Sequence, residues 1–312
     1  MRGRVCSWSS LWWWFMSSPL SYGIAPTAYR LPDATTLGAV HLQVADLARS
    51  IAYYRDVIGL RVQSSTAHNA SMGPHGDERT VIELHELPGA TPVPHRGRLG
   101  LFHVAILLPD RASLGRFLAH LGSIGERVGM SDHFVSEALY LNDPDGLGLE
   151  VYADRPRESW QSQGRQLAMG TEPLDARAVI AAAKGEPWTG APAGTTVGHV
   201  HLHVGDLKQA ATFYHAGLGF DKTVWEYPGA LFMSAGGYHH HLGTNTWARE
   251  AVPPAASDAR LLEWHLVVPA ADDIRAMSVH LDQQGIAVQQ DGRDLLLHDP
   301  WGTRVRVIPS LR

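Results

Sequence analysis

Cysteine is nearly absent from this sequence, because Cys6 is the only one among 312 residues. A single cysteine excludes a disulfide framework and a metal site built from thiolates. Basic residues are not in excess either: the formal net charge is -5, and no long run of lysine or arginine occurs. This charge gives no sign of a nucleic-acid surface, so we expect no nucleic-acid partner.

Long apolar runs are missing as well. The Trp-rich run over residues 11–15 is too short to span a membrane. It is a poor signal peptide, because serines flank it and no small-x-small cleavage site follows closely. We therefore expect no membrane partner and a cytoplasmic protein. Residues 1–36 are interpreted as a disordered N-terminal extension, with a start codon set too early, ahead of Met16, as the alternative.

Histidine, by contrast, is abundant, with 18 residues. The hydrophobic content of 45% and the charged content of 18% are those of a globular protein. A chain of 312 residues is long enough for two domains, each with its own core. The histidine content directs attention to metal binding.

The chain repeats itself. The segment GAVHLQVADLARSIAYYRDVIGL from Gly38 aligns without a gap with GHVHLHVGDLKQAATFYHAGLGF from Gly198. Each copy predicts a strand, an Asp N-cap and a short amphipathic helix closed by Gly. A looser pair begins at Gly100 and Leu262, and both of its copies end in an Asp-Pro-x-Gly turn before a last strand. We predict an α+β fold of four modules, each of roughly fifty residues.

These modules define the predicted domains. Residues 37–154 form domain 1 with modules 1 and 2, and residues 196–312 form domain 2 with modules 3 and 4. Residues 155–195 are predicted to be a linker that carries one short helix.

Three segments carry a resemblance to a known family: GHVHLHVGDL, SDHFVSEALYLNDPDGLGLEVYADRP and GGYHHHLGTNTW. With them, residues 37–309 resemble the vicinal oxygen chelate superfamily, and most of all its two-domain extradiol dioxygenases of the catechol-2,3-dioxygenase type. The resemblance implies four βαβββ modules paired into two cupped, barrel-like sheets. It also implies cleavage of the ring of catechol or a substituted catechol by O2 at a mononuclear Fe(II), with Mn(II) as the alternative ion. The partners would be a small aromatic diol and O2, and a homo-oligomer stays open.

The resemblance also implies metal ligands. The family's first-strand histidines fall on His199 and His103, and its last-strand glutamate falls on Glu150. Independently, a carboxylate within an apolar strand is costly to bury unless it is paired or binds a cation. Two histidines and a carboxylate are the facial triad of non-haem Fe(II) enzymes.

These ligands come from modules 2 and 3, because module 4 has Arg306 where module 2 has Glu150. The ligand set that the resemblance implies therefore favours pairing of module 2 with module 3, and of module 1 with module 4; pairing of module 3 with module 4 stays open. An alternative set in domain 1 joins Glu83 to His103 and Glu150, as in glyoxalases, but has Ala39 where module 3 has His199.

The family's acid–base histidine, which follows a Gly-Gly turn, falls on His239 in the triplet of residues 239–241. In an extended strand His241 would share its face, and it is predicted as a further ligand or a partner of one. The family's tyrosine, ten residues before the glutamate, falls on Tyr140. Its neighbouring histidine falls on His133, whose role Asp132 could share.

Two other functional classes stay open at this point. One is a metal-dependent lyase or isomerase of the glyoxalase kind, which would use a redox-inert ion. The other is a metal-free protein of the superfamily that binds small molecules.

Overall fold

The structure is a computed structural model that describes residues 22–95 and 97–310. The interpretation of Met16 therefore lies outside the described residues. Each predicted module is a strand, a helix and three further strands. In module 1 these are β1 (Thr36–Val44), α1 (Leu47–Asp56), β2 (Arg61–Ser65), β3 (Asn69–Gly73) and β4 (Ile82–Glu86). In module 2 they are β5 (Gly100–Leu107), α2 (Arg111–Ile124), β6 (Gly129–Asp132), β7 (Ser136–Asn142) and β8 (Gly148–Asp154).

The second half repeats this order after a connecting segment. That segment holds a 3-10 helix (Arg157–Ser159), β9 (Ser162–Gln163), β10 (Gln166–Leu167) and α3 (Ala176–Ala182). Module 3 holds β11 (Thr196–His203), α4 (Leu207–Ala210) with a π-helix (Ala211–Gly217), β12 (Asp221–Val224), β13 (Ala230–Ser234) and β14 (Leu242–Asn245). Module 4 holds β15 (Arg260–Val268), α5 (Ala271–Gln283), β16 (Gln289–Asp291), β17 (Asp294–His298) and β18 (Arg304–Pro309).

Sixteen strands form two curled eight-stranded sheets and β9 pairs with β10 alone, which confirms the predicted α+β class. One has the order β16-β17-β18-β15-β1-β4-β3-β2 and combines modules 4 and 1. The other has the order β12-β13-β14-β11-β5-β8-β7-β6 and combines modules 3 and 2. In each sheet the first strands of two modules pair antiparallel, β1 with β15 and β5 with β11. Each sheet thus takes one module from either half of the chain.

Local sequence explains how the first strands are positioned. Asp46 and Asp206 cap the following helices, as predicted, each accepting from a backbone N–H three residues on. The apolar face of β11, with Val200 and Leu202, is fully buried in a core cluster that draws on all four modules. The opposite, histidine-bearing face is thereby directed away from that core.

The N-terminal segment is more ordered than expected. Leu31 is buried in the core, and Arg30 forms an ion pair with Asp221 of β12. Tyr22 donates to the carbonyl of Gly237 (2.8 Å). The disorder expected over residues 1–36 therefore does not extend to residues 22–35. Tyr22 and Arg30 have hydrogen-bond partners in module 3, and Leu31 is buried in the core. Within the described residues, no helix has the length and apolar character needed to cross a membrane.

Two tyrosines matched in the repeat tie the sheets together. Tyr54 of module 1 donates to Asp143 of module 2 (3.3 Å), and Tyr214 of module 3 donates to Asp299 of module 4 (2.9 Å). Each aspartate lies in an Asp-Pro-x-Gly turn and accepts two backbone N–H groups of that turn. Each tie therefore links a helix of one sheet to a turn of the other.

The buried tie at Asp143 should make stability depend on pH. Burial raises the pKa of Asp143 to about 7, against the opposing hydrogen bonds from the turn. Between about pH 4 and 7 the folded state keeps this proton while the unfolded state loses it, so the free energy of unfolding falls as pH rises. The loss amounts to up to about 4 kcal/mol. In urea unfolding at pH 5 and pH 8, Asp143→Asn should show a shallower decline than the unaltered protein. Equal declines would contradict this origin.

Candidate active site

Three side chains converge on the concave face of the sheet formed by modules 2 and 3. His103 comes from β5, Glu150 from β8 and His199 from β11. Their ligand atoms all lie within 4.8 Å of one another. Glu150 Oε2 is 3.0 Å from His103 Nε2 and 3.2 Å from His199 Nε2. Strand pairing explains this, because both His199 and Glu150 are opposite Ala105 on its two neighbouring strands.

The chemistry of this set fits a divalent cation. All three residues are buried, with exposures of 4%, 2% and 1%. Burial would raise the pKa of Glu150, but His199 and His103 outweigh it and hold that pKa well below its ordinary value. Burial lowers the pKa of His199 to about 4, against the pull of Glu150, so its imidazole is neutral. A buried carboxylate flanked by two imidazoles is a donor set whose negative charge a bound cation would compensate.

Two nitrogens of this set also have no hydrogen-bond partner. His103 Nε2 is close to Glu150 without the alignment of a hydrogen bond, and His199 Nδ1 has no partner either. Buried polar atoms are normally satisfied, and a close but misaligned nitrogen and oxygen are expected of two ligands that point at a common ion.

The alternative set with Glu83 is not assembled. Glu83 lies on β4 in the other sheet, where it accepts a hydrogen bond from Ser71 (2.8 Å). His103 and Glu150 are in the sheet of modules 2 and 3. The domain 1 set therefore has no common centre.

Tyr140 and His133 stand beside the three converging residues. Tyr140 pairs with Glu150 across β7 and β8, and burial together with this carboxylate raises the pKa of Tyr140 well above its ordinary value. His133 Nδ1 donates to the carbonyl of Gly170 (2.6 Å), which leaves Nε2 to accept from the Tyr140 hydroxyl (2.6 Å). Asp132 is instead paired with Arg155 (2.5 Å).

The histidine triplet has a different orientation from the one expected. Residues 239–241 lie in a turn before β14, not in an extended strand, so alternate side chains do not share a face. His240 lines the cavity, with its ring centroid 4.1 Å from that of His199. His239 is fully buried beneath it, and His241 Nδ1 accepts from the backbone N–H of Ala235. Neither His239 nor His241 belongs to the group of converging ligand atoms.

Hydrogen bonds determine which ring nitrogens of His239 and His240 carry a proton. His239 Nε2 donates to Asp154 Oδ1 (2.9 Å), since a carboxylate can only accept. His239 Nδ1 is then free to accept from His240 Nδ1 (2.8 Å). Burial, together with the neighbouring His199 and His239, lowers the pKa of His240 well below its ordinary value. His240 is therefore neutral, and its Nε2 carries a free lone pair.

The cavity around these groups has a volume of about 280 Å³. Much of its wall is aromatic: Phe102, Tyr227, Phe232 and Trp247. His201 also lines it. Residues 169–171 of the segment predicted to be a linker complete the wall. A Cβ at Gly170 would come within 2.5 Å of the Phe134 ring, so a larger residue there would have to displace this exposed ring.

Sequence reasoning missed His240 and the contribution of residues 169–171. The signal that could have identified His240 is the run of three adjacent histidines to which it belongs. Only the backbone conformation decides which of them faces the cavity.

Comparison with known proteins gives several relatives. The chain is 42% identical over 272 residues to Catechol-2,3-dioxygenase of Bacillus subtilis (strain 168), covering 86% of this chain and 95% of the relative. It is 33% identical over 115 residues to the uncharacterized protein YaeR of Escherichia coli (strain K12), covering 34% of this chain and 87% of the relative.

Solved structures share the fold. A Bacillus subtilis protein described as a candidate dioxygenase superposes with a TM-score of 0.64 at 14% identity, covering 91% of this chain and 87% of its own. Glyoxalase I of Zea mays superposes with a TM-score of 0.52 at 17% identity, covering 88% and 92%. The family model described as Glyoxalase/Bleomycin resistance protein/Dioxygenase superfamily matches residues 36–151 and 196–306. The chain belongs to this superfamily.

Proposed function

We propose that this protein is an extradiol dioxygenase that opens the ring of a catechol with O2 at a single Fe(II). The observation that carries this function is the buried set of His103, Glu150 and His199 on the wall of one aromatic-lined cavity. The 42% identity to an enzyme named Catechol-2,3-dioxygenase supports the same assignment.

His103, Glu150 and His199 would hold the ion. Two imidazoles and one carboxylate suit Fe(II) and leave positions open for other ligands; Mn(II) is the alternative ion. Bound Fe(II) supplies Lewis acidity toward a diol and the one-electron chemistry that O2 requires.

His240 would take the proton of a catechol hydroxyl. Its Nε2 has the free lone pair, and its lowered pKa keeps this imidazole in the proton-accepting form at neutral pH. His239 was the residue predicted for this role. In the proposed arrangement it acts one step away, holding the ring protons of His240 in place through its own bond to Asp154.

The cavity favours an uncharged single ring. Its aromatic side chains can stack on a substrate ring, and its volume of about 280 Å³ limits the substrate's size. Among the residues that the structure describes, no lysine or arginine lines it. We therefore expect catechol and alkylcatechols to be better substrates than catechols that carry a carboxylate.

Tyr140→Phe should lower kcat by roughly ten- to a hundredfold and leave the iron content unchanged. The protonated phenol donates to His133 Nε2 in the structure and would turn this proton to a substrate oxygen in the complex. Such bonds to charged groups contribute about 1.5–3 kcal/mol. Steady-state oxygen uptake and iron analysis measure both quantities. Tyr29→Phe is the matched control, because the Tyr29 hydroxyl is buried without a partner. Full activity of Tyr140→Phe would remove this role.

Oxygen uptake by protein loaded anaerobically with Fe(II) tests the function. We expect one O2 consumed for each catechol opened, with a yellow product, and no uptake with Zn²⁺ in place of Fe(II). Absence of uptake across a panel of substituted catechols, combined with turnover of a hemithioacetal, would assign the site to the glyoxalase class instead.

A further inference from the structure

A second cluster of metal-ligating side chains lies in the other sheet. His41 on β1 and Glu263 on β15 are opposite each other across these paired strands, and His265 is two residues beyond Glu263 on the same face. Their ligand atoms lie within 4.8 Å of one another, as in the catalytic set. Glu263 is buried, and the two histidines are partly buried.

Hydrogen bonds prepare His41 as a ligand. Asn69 Oδ1 accepts from His85 Nδ1 (2.7 Å), so His85 Nε2 is free to accept from His41 Nδ1 (3.0 Å). His41 Nε2 is then without a proton, and it is buried without a hydrogen-bond partner. A histidine that donates through one nitrogen and presents a bare second nitrogen has the arrangement of metal-binding imidazoles.

The carboxylate of Glu263 is only partly engaged. Oε1 accepts from His265 Nε2 (2.9 Å) and from Arg306 Nε (2.7 Å). Oε2 lies 3.7 Å from Nη1 of Arg304. Arg306 is itself shared with Asp291 and Asp294, which offset its charge. A cation can reach Oε2, but Arg306 and the His265 hydrogen bond compete with it and weaken its binding.

We propose that His41, Glu263 and His265 form a second site for a borderline divalent cation such as Zn²⁺. Imidazole nitrogens with one carboxylate are ligands that Zn²⁺ accepts readily. The site is not a copy of the catalytic one. His265 is the counterpart of His103, but His41 matches His201 and Glu263 has no counterpart among the catalytic ligands. The site lies on the first strands of modules 1 and 4, so a bound ion would cross-link the two central strands of this sheet.

Zn²⁺ titration of the Glu150→Ala protein isolates this site from the catalytic one. By calorimetry we expect one equivalent bound per chain and a rise in the thermal midpoint, because a ligand that binds only the folded state stabilises it. His41→Ala and His265→Ala, each added to Glu150→Ala, should abolish both effects. His68→Ala is the control, since this exposed histidine lies in the turn between β2 and β3 and pairs with Glu86.

A third substitution checks the role of Arg306. Arg306→Gln removes a positive charge that competes for Glu263 and should tighten Zn²⁺ binding on the order of tenfold. Retention of iron at the catalytic site by His41→Ala and His265→Ala with Glu150 intact would show that both fold. No Zn²⁺ equivalent in the Glu150→Ala protein, or one that survives both histidine substitutions, would overturn the second site. Neither result bears on the dioxygenase activity.

Discussion

Glu150→Ala protein should emerge from gel filtration without iron and without ring-opening activity. Glu150 is the only carboxylate of the three converging residues, and it would balance the charge of a bound ion inside a buried site. Without it two imidazoles remain, and we expect iron affinity to fall on the order of 10²-fold or more. The weaker site at Glu263 is not expected to keep an ion through the column. Iron analysis and oxygen uptake on the same sample are the measurements.

Two further variants test whether the loss of iron comes from the missing charge of Glu150. Glu150→Gln keeps the shape of the side chain and removes its charge, so it should also lose iron while the fold is retained. Glu83→Ala removes the carboxylate of the alternative set in domain 1 and should keep both iron and activity. Iron loss in Glu83→Ala with retention in Glu150→Gln would reverse the assignment of the site.

His240→Phe should keep its iron and lose turnover by on the order of 10²-fold or more, the usual range for a positioned proton-transfer group. The imidazole contacts the cavity but is not one of the three converging ligands. Catechol should still bind, since the aromatic wall is unchanged. The pH profile of kcat should lose one limb, because the base that titrates in it is gone.

His239→Asn distinguishes direct from indirect action. If His239 only orients His240, its loss should cost less than that of His240, and the pH profile should shift without losing a limb. His241→Gln is the control within the triplet, because glutamine can still accept from the Ala235 N–H. A His239 variant as impaired as His240→Phe, with His240→Phe nearly active, would return the proton-transfer role to His239.

Much of the fold could be predicted because its signals are local and repeated. The Asp46 and Asp206 caps, the turns at Asp143 and Asp299, and the period of the modules each follow from short segments. The pairing of module 2 with module 3 was also predictable, since Arg306 in module 4 stands where a ligand is needed. The ligand set implied by the family resemblance thus favoured one arrangement of whole modules.

The remaining features depend on tertiary structure. Residues 236–241 form a turn whose backbone sets the directions of three adjacent imidazoles, and strand alternation does not apply there. The contribution of Gly170 to the cavity depends on how the connecting segment packs on His133 and Phe134. Nor does sequence pattern reveal that Leu31 enters the core. Contacts between distant parts of the chain decide all of these features.

The position of ring opening is the most direct test of the proposed site. Fe(II)-loaded protein should convert catechol into a yellow semialdehyde acid, the product of cleavage beside the two hydroxyls, with one O2 consumed per molecule. Glu150→Gln, treated identically, should form none. A colourless dicarboxylic acid from cleavage between the hydroxyls, or equal product from Glu150→Gln, would contradict an extradiol centre built on His103, Glu150 and His199.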